Sequence, residues 1–336
     1  MAAPSSDTCR TRLVSRALYL PGEPVVLSDI GMSGEMREKL KGTGQEFTFR
    51  SDEDSTAMSL AAARAALERS GLEARDIGLV ITAPTLTTSY GLEIPAIAIR
   101  TGLGLMRAEC LNVAQGCVGF LASLRLANQF LLTEKNIKNV LIVTACKAST
   151  MMDDMNHGSF FWGDAAAATV VTSAPGTGLK FCAYKEISSE QDWGAMRVKH
   201  GDHQSPDACD PAKDLKVVVD FAEGRAQMDY IVGEQARCEG LIAGLLDAGG
   251  LTAEGLGALF LPSIGANRIP HLLSTDKRLR AKVKTDFRYA HMGGVDALFS
   301  LDLYLNSDPP AEPAFFIAAT PAYTAQWGGV LLRYEP

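Results

Sequence analysis

The sequence predicts an α/β fold in which two similar halves each bury a mainly parallel sheet under helices. Helices and strands alternate along the chain: an amphipathic helix over Ser55–Ser70 precedes a short β-branched strand over 76–85. The pattern then repeats, because "DIGLVITAP" is matched later by "GLGALFLPS" and "GDAAAATVV" by "WGGVLLRY". The chain has 336 residues and 47% hydrophobic content, enough for a large core. We therefore predict an N-terminal half over 1–175 and a C-terminal half over 176–336.

The remaining elements follow in the same alternation. In the first half, strands are predicted over 111–114, 140–144 and 163–172, with a long helix over 118–134. In the second half, helices are predicted over 221–246 and 297–305, with strands over 256–261, 314–318 and 329–334. The polar stretch 192–214 is predicted to be a surface insertion.

Composition excludes several classes of function. The net charge of -7 and the sequence pI of about 5.4 do not fit a nucleic-acid-binding surface. No apolar run approaches the roughly 18 residues of a membrane span, and the N-terminal arginines precede no apolar stretch typical of a signal peptide. Seven scattered cysteines without CxxC spacing argue against a disulfide framework and a zinc site. We expect a cytoplasmic protein that holds no metal.

Cys117 is the candidate nucleophile. In "LNVAQGCVGF", residues 111–120, a short strand ends, a turn containing Gly116 follows, and the cysteine stands just before a helix. First-turn amides and the helix dipole favour the thiolate, which is the form that attacks a thioester, and the turn amide suits an oxyanion. The alternative is a buried, inert thiol. That alternative is favoured for Cys110, Cys146, Cys182 and Cys238.

Several ordered segments resemble β-ketoacyl-acyl-carrier-protein synthase III, a family of the thiolase superfamily. The segments are "NVAQGCVGFLASLRLANQFL", "GSFFWGDAAAATVV", "LPSIGANRI" and "WGGVLLRY", and the resemblance runs from about Leu13 to Tyr334. The resemblance implies a thiolase-like five-layered αβαβα fold built from two duplicated halves, and a homodimer. It also implies that Cys117 carries the acyl group as a thioester.

The chain departs from the condensing members of that family, whose sites resemble one another in a Cys, a His and an Asn. Ser263, in "LPSIGANRI", stands at the position of the histidine, and Asn267 would align there only with a gap. His291, in "YAHMGGVDAL", stands at the position of the asparagine. A serine hydroxyl cannot carry the positive charge of an imidazole, so we expect weaker stabilisation of an enolate.

The pattern "HMGGVD" resembles a subgroup from natural-product pathways, including polyketide and antibiotic biosynthesis, that transfers acyl groups to hydroxyls or amines or uses unusual starters. By that resemblance, Asp296 follows His291 closely enough to fix its tautomer and stabilise the imidazolium. The alternative, compatible with the first, is that Asp296 caps the helix predicted to begin near residue 297. His291 is then expected to act as the general base that activates the acceptor.

Other residues carry weaker predictions. The resemblance implies a second oxyanion donor in the backbone N–H of Tyr323. Ser263, Asn267 and His200 are possible substrate contacts, while for His200 and its neighbour His203 the alternative is ordinary solvation. For His157 a structural role is favoured over a catalytic one, and His271 is expected to be exposed at a helix start.

The donor and partners follow from the same comparison. The family's arginine and tryptophan pattern for coenzyme A is missing, although Arg37 and Arg50 lie in that region. We therefore favour an acyl carrier protein over coenzyme A as donor, since both carry a phosphopantetheine arm, and we expect no other cofactor.

The predicted function is an acyltransferase of secondary metabolism that moves an acyl group through Cys117 to a hydroxyl or amine of a small-molecule acceptor, without decarboxylation. The alternative is a decarboxylating synthase III that forms a carbon–carbon bond. A non-catalytic partner subunit is a third interpretation, and retention of Cys117 and His291 argues against it.

Overall fold

The computed structural model describes residues 9–86, 88–90, 92–152, 160–190, 196–198, 210, 216–219, 227–322 and 326–336. The helices are α1 Gly34–Leu40, α2 Ser55–Ser70, α3 Pro95–Gly102, α4 Gly119–Thr133, α5 Gln227–Ala248, α6 Ile269–Leu272, α7 Lys277–Arg280 and α8 Val295–Ser307. The strands of the first half are β1 Thr11–Tyr19, β2 Val25–Val26, β3 Phe47–Thr48, β4 Leu79–Pro84, β5 Glu109–Asn112, β6 Asn139–Cys146 and β7 Ala165–Thr172. The later strands are β8 Gly178–Ser188, β9 Met196–Val198, β10 Val217–Val219, β11 Leu256–Phe260, β12 Ala314–Ala322 and β13 Gln326–Glu335.

A nine-stranded sheet runs through both halves in the order β11-β12-β13-β8-β1-β7-β6-β4-β5. The halves share a pairing pattern: β4 and β6 pair in parallel as β11 and β12 do, and β7 pairs antiparallel with β6 as β13 does with β12. The two halves meet where β1 pairs with β8. The predicted internal duplication is therefore present in the fold, and the predicted boundary at residue 175 falls between β7 and β8.

The prediction of a mainly parallel sheet was wrong. Within this sheet only β4–β5, β4–β6 and β11–β12 are parallel, and the other pairings are antiparallel. Alternation suggested that a crossover helix precedes every strand, but no α-helix is described between β6 and β7 or between β12 and β13. A strand that returns without a crossover pairs antiparallel with the strand before it.

Helices separate the two parts of the sheet and cover its outer faces, which gives the five αβαβα layers expected. Helix α2 packs on β1, β6 and β7, and α5 packs on β8, β12 and β13. Helices α4 and α8 lie between, because each contacts strands of both halves. The central core contains side chains from all these elements, among them Ile81, Phe120, Leu298 and Phe316.

Local signals explain the best-predicted element. Helix α2 has the predicted bounds, because Asp54 accepts a hydrogen bond from the Ala57 amide at 2.8 Å and Gly71 ends the helix at φ 69°. Helix α4 also agrees with its prediction to within one residue at each end. The N-terminal part of the helix predicted over 221–246 lies outside the described residues, and α5 is described from Gln227.

Cysteine usage differs from the prediction. Cys9 and Cys182 form a disulfide that joins the segment before β1 to β8, whereas the scattered spacing argued against such bonds. Antiparallel pairing of β1 with β8 brings these distant cysteines to a Cα–Cα distance of 4.5 Å, which spacing alone does not reveal. Among the described helices, none is both long and apolar enough to span a bilayer.

Candidate active site

Cys117 lies in a tight turn that leads into the central helix α4. The turn, Gly116–Val118, is a 3-10 helix that packs on β12 and β13, and Gly116 adopts the left-handed φ of 53° that favours glycine. Gly119 allows the helix start to approach β4, since a Cβ there would lie 3.1 Å from the Ala83 Cβ. Cys117 is 4% exposed, so the nucleophile predicted from the sequence lies inside the core.

Three of the predicted site residues lie together. The Cys117 sulfur is 3.4 Å from His291 Nε2, and His291 Nδ1 is 2.6 Å from Asp296 Oδ2. Asp296 also accepts backbone N–H bonds, from Ser263 at 2.8 Å and from Met292 at 2.7 Å. A carboxylate that accepts these bonds leaves the proton on Nδ1, so that Nε2 of the neutral ring faces the sulfur as an acceptor.

Asp296 is therefore the partner of His291, as one of the two interpretations expected. Helix α8 begins at Val295 after Gly294, and no side chain caps it. The two amides bound by Asp296 belong to Met292 and Ser263, neither of which is in the helix. The carboxylate orients the imidazole rather than capping the helix in the usual way.

Burial and two neighbouring negative charges set the pKa of His291. Burial lowers its pKa, but the negative charges of Asp296 and Cys117, with their hydrogen bonds to the ring, outweigh burial and raise the pKa above its usual value. With the sulfur as thiolate, the imidazole holds a proton and the two form an ion pair. The arrangement can thus generate and stabilise a sulfur nucleophile.

Two aromatic side chains that the sequence prediction did not single out enclose the imidazole. The Trp162 ring lies 4.4 Å from the His291 ring, centroid to centroid, and the Phe160 ring lies 5.7 Å away, both at steep angles. Both aromatic residues are fully buried. The backbone is held as well, because His291 N donates to Phe161 O at 2.9 Å and Gly163 N donates to His291 O at 2.8 Å.

Close contacts at Gly293 and Gly294 restrict the backbone conformation of the loop after His291. Gly293 adopts a φ of 62°, and a Cβ there would lie 2.3 Å from the Thr85 methyl carbon. The hydroxyl of Thr85 accepts the Gly294 amide at 2.9 Å, which ties the loop to the end of β4. The two glycines of "HMGGVD" are thus explained by close approach to Thr85 and to the Thr144 hydroxyl.

The Gln45 side chain links the loop that carries Phe161 to the loop that carries Ser263. Its amide nitrogen donates to Ser263 O at 2.7 Å and to Phe161 O at 3.3 Å, and its Oε1 accepts the Phe161 amide at 2.8 Å. No local sequence signal marks Gln45, Thr85, Phe160 or Trp162, because each acquires its role only when distant segments meet.

Ser263 is buried, and both its hydroxyl and its backbone amide have hydrogen-bond partners. Its hydroxyl donates to Tyr289 O and its amide to Asp296, so its described bonds support the His291 loop. Asn267 is exposed on a 3-10 turn beside Gly42. His271 was expected to be exposed but is half-buried, because the short helix α6 packs against α5. Contact of Ser263 or Asn267 with substrate stays a prediction.

Four residues with predicted roles lie outside the described residues. They are Tyr323, His200, His203 and His157. The oxyanion role of the Tyr323 amide and the pocket contact of His200 therefore stay predictions.

The other free cysteines in the described part of the chain, Cys110, Cys146 and Cys238, are poor nucleophiles. Burial, the Cys117 charge and nearby carboxylates raise the pKa of Cys146 well above its usual value, and burial raises that of Cys110. Burial and the nearby Glu234 also raise the pKa of Cys238. Each of these thiols stays protonated at neutral pH. Cys182, expected to be a buried free thiol, is half-buried and bonded to Cys9.

The chain is similar in sequence to known proteins. The family model of 3-oxoacyl-[acyl-carrier-protein] synthase III matches residues 111–189, which include Cys117. The β-ketoacyl-[acyl-carrier-protein] synthase III of Roseiflexus castenholzii is 29% identical over 270 residues, covering 80% of this chain and 75% of that protein.

Solved structures show the same fold. The 3-oxoacyl-(acyl-carrier protein) synthase of Burkholderia xenovorans has a TM-score of 0.82 at 16% identity, covering 98% of this chain and 95% of that one. ChlB3, named as an acyltransferase, has a TM-score of 0.78 at 17% identity, covering 96% of this chain and 97% of that one. At these identities the likeness supports a shared architecture.

Proposed function

We propose, from the premise that the chain belongs to the thiolase-like β-ketoacyl synthase III-like family, that it transfers an acyl group without decarboxylation. As a member of that family it is a transferase of the acyl-transferring class. Cys117 accepts the acyl group from a thioester, and a hydroxyl or amine of a small molecule receives it from Cys117. The acceptor is activated by His291, which Asp296 orients.

The observation that carries this proposal is the pairing of His291 with Asp296 beside Cys117, at 2.6 Å and 3.4 Å. A carbanion formed by decarboxylation needs donors aimed at the thioester oxygen of a malonyl group. Ser263, at the position where condensing relatives have a histidine, donates its hydroxyl to Tyr289 O instead. The site is therefore better suited to proton removal than to enolate stabilisation.

Acylation begins with the thiolate of Cys117. The thiolate attacks the carbonyl carbon of the donor thioester, the carbon–sulfur bond of the donor breaks, and the donor sulfur leaves. The imidazolium of His291 supplies a proton to that leaving sulfur, since its Nε2 faces the reacting position. The products of this half-reaction are acyl-Cys117, a free thiol and a neutral imidazole.

Acylation also converts His291 into a base. The charge of Cys117 is one of the causes that raise the pKa of His291, and an acylated sulfur carries no charge. The pKa therefore falls, while Asp296 still holds the proton on Nδ1. Nε2 is then free to take the proton of an acceptor hydroxyl or amine as it attacks the thioester.

The buried position of Cys117 favours a donor with a long, narrow arm. Cys117 and His291 are 4% and 1% exposed, so a bulky donor cannot bring its thioester to the sulfur without such an arm. Carrier proteins and coenzyme A both deliver acyl groups on phosphopantetheine. The exposed arginines Arg37 and Arg50 suit an acidic carrier protein, which we propose as the donor.

The runner-up is a decarboxylating synthase that forms a carbon–carbon bond. The observation in its favour is that the Roseiflexus castenholzii relative, at 29% identity, is named a synthase III. In that case His291 alone would stabilise the enolate. ChlB3, whose name describes an acyltransferase, supports the first proposal, although its 17% identity supports only the fold directly.

We further propose a homodimer formed at the edge of the sheet. Strand β5 forms one edge of the sheet, and the neighbouring segment exposes large apolar side chains: Tyr90 at 73%, Leu92 at 100% and Met106 at 72%. An unprotected edge beside an apolar patch favours association with a second copy. Leu92→Glu should yield monomers by light scattering, while Leu132→Glu, elsewhere on the surface, should leave the dimer intact.

Carbon dioxide release from malonyl-carrier protein distinguishes the acyltransferase from the decarboxylating synthase. We expect wild-type chain to release no more carbon dioxide than Cys117→Ala, and to transfer an intact acyl group to an added alcohol or amine. Carbon dioxide release well above that control would overturn the acyltransferase proposal in favour of the synthase. Full pathway activity with Cys117→Ala would point to a non-catalytic partner.

A further inference from the structure

The disulfide Cys9–Cys182 sits at the seam between the two halves of the sheet. Strands β1 and β8 are the one link between the halves within this sheet, and their described register contains three pairs, Thr11 with Phe181, Arg12 with Lys180 and Leu13 with Leu179. The bond lies next to this short pairing and spans 173 positions in the sequence. It therefore ties the seam covalently.

A surface cavity of about 360 Å³ lies beside this bond. Cys9 forms part of its wall, together with Arg10, Arg12, Lys180, Ser173 and the apolar Leu132. Among the residues that the structure describes, none with a carboxylate lines it, although the chain carries a net charge of -7. A local excess of positive charge on an acidic protein attracts small anions.

Arg12 is held in place for such a role. Its Nε donates to Ala174 O at 3.0 Å, and Gly176 lies against its guanidinium, since a Cβ there would be 2.8 Å from Arg12 Cζ. Lys180 Nζ forms an ion pair with Glu335 Oε2 at 2.5 Å, so the positive charge of Lys180 is partly balanced. Arginine is the side chain whose planar donors match a carboxylate best.

We propose that this cavity binds a small carboxylate-bearing thiol, which exchanges with the Cys9–Cys182 disulfide. The cavity brings together three features that suit such a site: Cys9, one residue of the bond, in its lining, the cations of Arg12 and Lys180, and a volume that accommodates a tripeptide-sized molecule. The proposal is independent of the acyl-transfer chemistry at Cys117.

The exchange balances with two molecules of thiol. The first thiolate attacks the Cys9 sulfur, the Cys9–Cys182 bond breaks, and Cys182 leaves as a thiolate that takes a proton from water. The second thiolate attacks the outer sulfur of the mixed disulfide, which frees Cys9 as a thiol. Two small thiols are oxidised to one small disulfide, and the protein disulfide is reduced to two thiols.

Reduction should loosen the seam. A cross-link that closes a long loop stabilises a folded chain chiefly by restricting the unfolded one, and this loop is long. We therefore expect the reduced chain to melt at a lower temperature, and Cys9→Ser to melt at the temperature of the reduced wild type.

Thiol counting tests whether the bond forms. The chain contains seven cysteines, so unfolded protein purified without reductant should react with five equivalents of a thiol reagent, and reduced protein with seven. Seven equivalents from the unreduced protein would overturn the proposal. In Cys9→Ser purified without reductant, six reactive thiols are expected.

Charge-matched thiols test the docking. Glutathione carries two carboxylates, and its diethyl ester has the same thiol with both carboxylates masked. We expect glutathione to reduce the bond about tenfold faster than the ester at low salt, with the difference lost in 1 M salt. Arg12→Gln should remove most of that preference, and Arg64→Gln, on α2, should not. Equal rates for the two thiols, or no effect of Arg12→Gln, would overturn docking in the cavity.

Discussion

Nδ1 of His291 lies 2.6 Å from Oδ2 of Asp296, and both side chains are buried. This contact distinguishes the site from an isolated reactive cysteine, because it fixes which nitrogen faces Cys117. The same carboxylate accepts the amides of Ser263 and Met292, so the loop that carries His291 and the loop that carries Ser263 are positioned together.

Asp296→Asn should keep the fold and lose activity. An amide is close to a carboxylate in shape, but it allows the wrong tautomer of His291, and we expect kcat for acyl transfer to fall by about 10³–10⁴-fold. Because Asp296 raises the pKa of His291, its neutralisation lowers that pKa, so the acidic limb of the transfer rate should move to lower pH. Single-turnover rates from pH 5 to 9 measure both effects. Unchanged kcat would show that Asp296 is only structural.

Cys117→Ala should lower the pKa of His291. The thiolate charge and its hydrogen bond raise that pKa in the free protein, and alanine removes both. NMR titration of the His291 ring in wild type, Cys117→Ala and the acylated chain measures the change directly. We expect the two modified forms to lose the ring proton at lower pH than wild type. The same pKa in all three would contradict the proposed conversion of His291 into a base.

Trp162→Leu should let water reach the acyl group. The indole is fully buried against the His291 ring, where a smaller side chain leaves space beside the base. We expect hydrolysis of acyl-Cys117 to rise by about tenfold, or about 1.4 kcal/mol in the barrier. Trp162→Phe, which keeps an aromatic wall, should stay near wild type. Decay of the acyl mass with time measures the rate, and equal decay in all three chains would contradict a role in excluding water.

Gly293→Ala should destabilise the chain and disturb the His291 loop. The position has φ 62°, and the new Cβ would lie 2.3 Å from the Thr85 methyl carbon, so we expect a loss of about 2–4 kcal/mol in the free energy of unfolding. Gly104→Ala is the matched control: its φ is 66° with nothing within 4 Å. That substitution should cost about 1 kcal/mol. Urea unfolding compares the two, and equal losses would mean that Thr85 yields without cost.

Much of the fold was predictable because the signals are local. The caps at Asp54 and Gly71 define α2. No strand was predicted at β1, because its buried face carries the polar Thr11 and Ser15 as well as Leu13 and Ala17. Strand direction was not predictable from these signals. It depends on whether the chain crosses over between neighbouring strands, and the β6–β7 pairing is antiparallel because it does not.

The residues of the candidate site likewise fall into a group that local sequence predicts and a group that it does not. Cys117, His291 and Asp296 could be predicted as site residues because each stands in a short segment that resembles a family motif. Trp162 packs against the His291 ring, Gln45 bonds Ser263 and Phe161, and Thr85 bonds Gly294, each from a segment distant in the sequence. The Cys9–Cys182 bond was missed for the same reason, since only the pairing of β1 with β8 brings the two sulfurs together.

The location of the acyl group tests the central claim most directly. Wild type, Cys117→Ala and Cys146→Ser are each mixed with an acyl-carrier protein, and intact mass followed by peptide mapping locates the added group. Cys146→Ser is the matched control for loss of a cysteine near the site, because Cys146 is fully buried and its raised pKa keeps it protonated. We predict one acyl group on the Cys117 peptide in wild type and in Cys146→Ser, and none in Cys117→Ala. An acyl group on another cysteine, or none in wild type, would contradict the account.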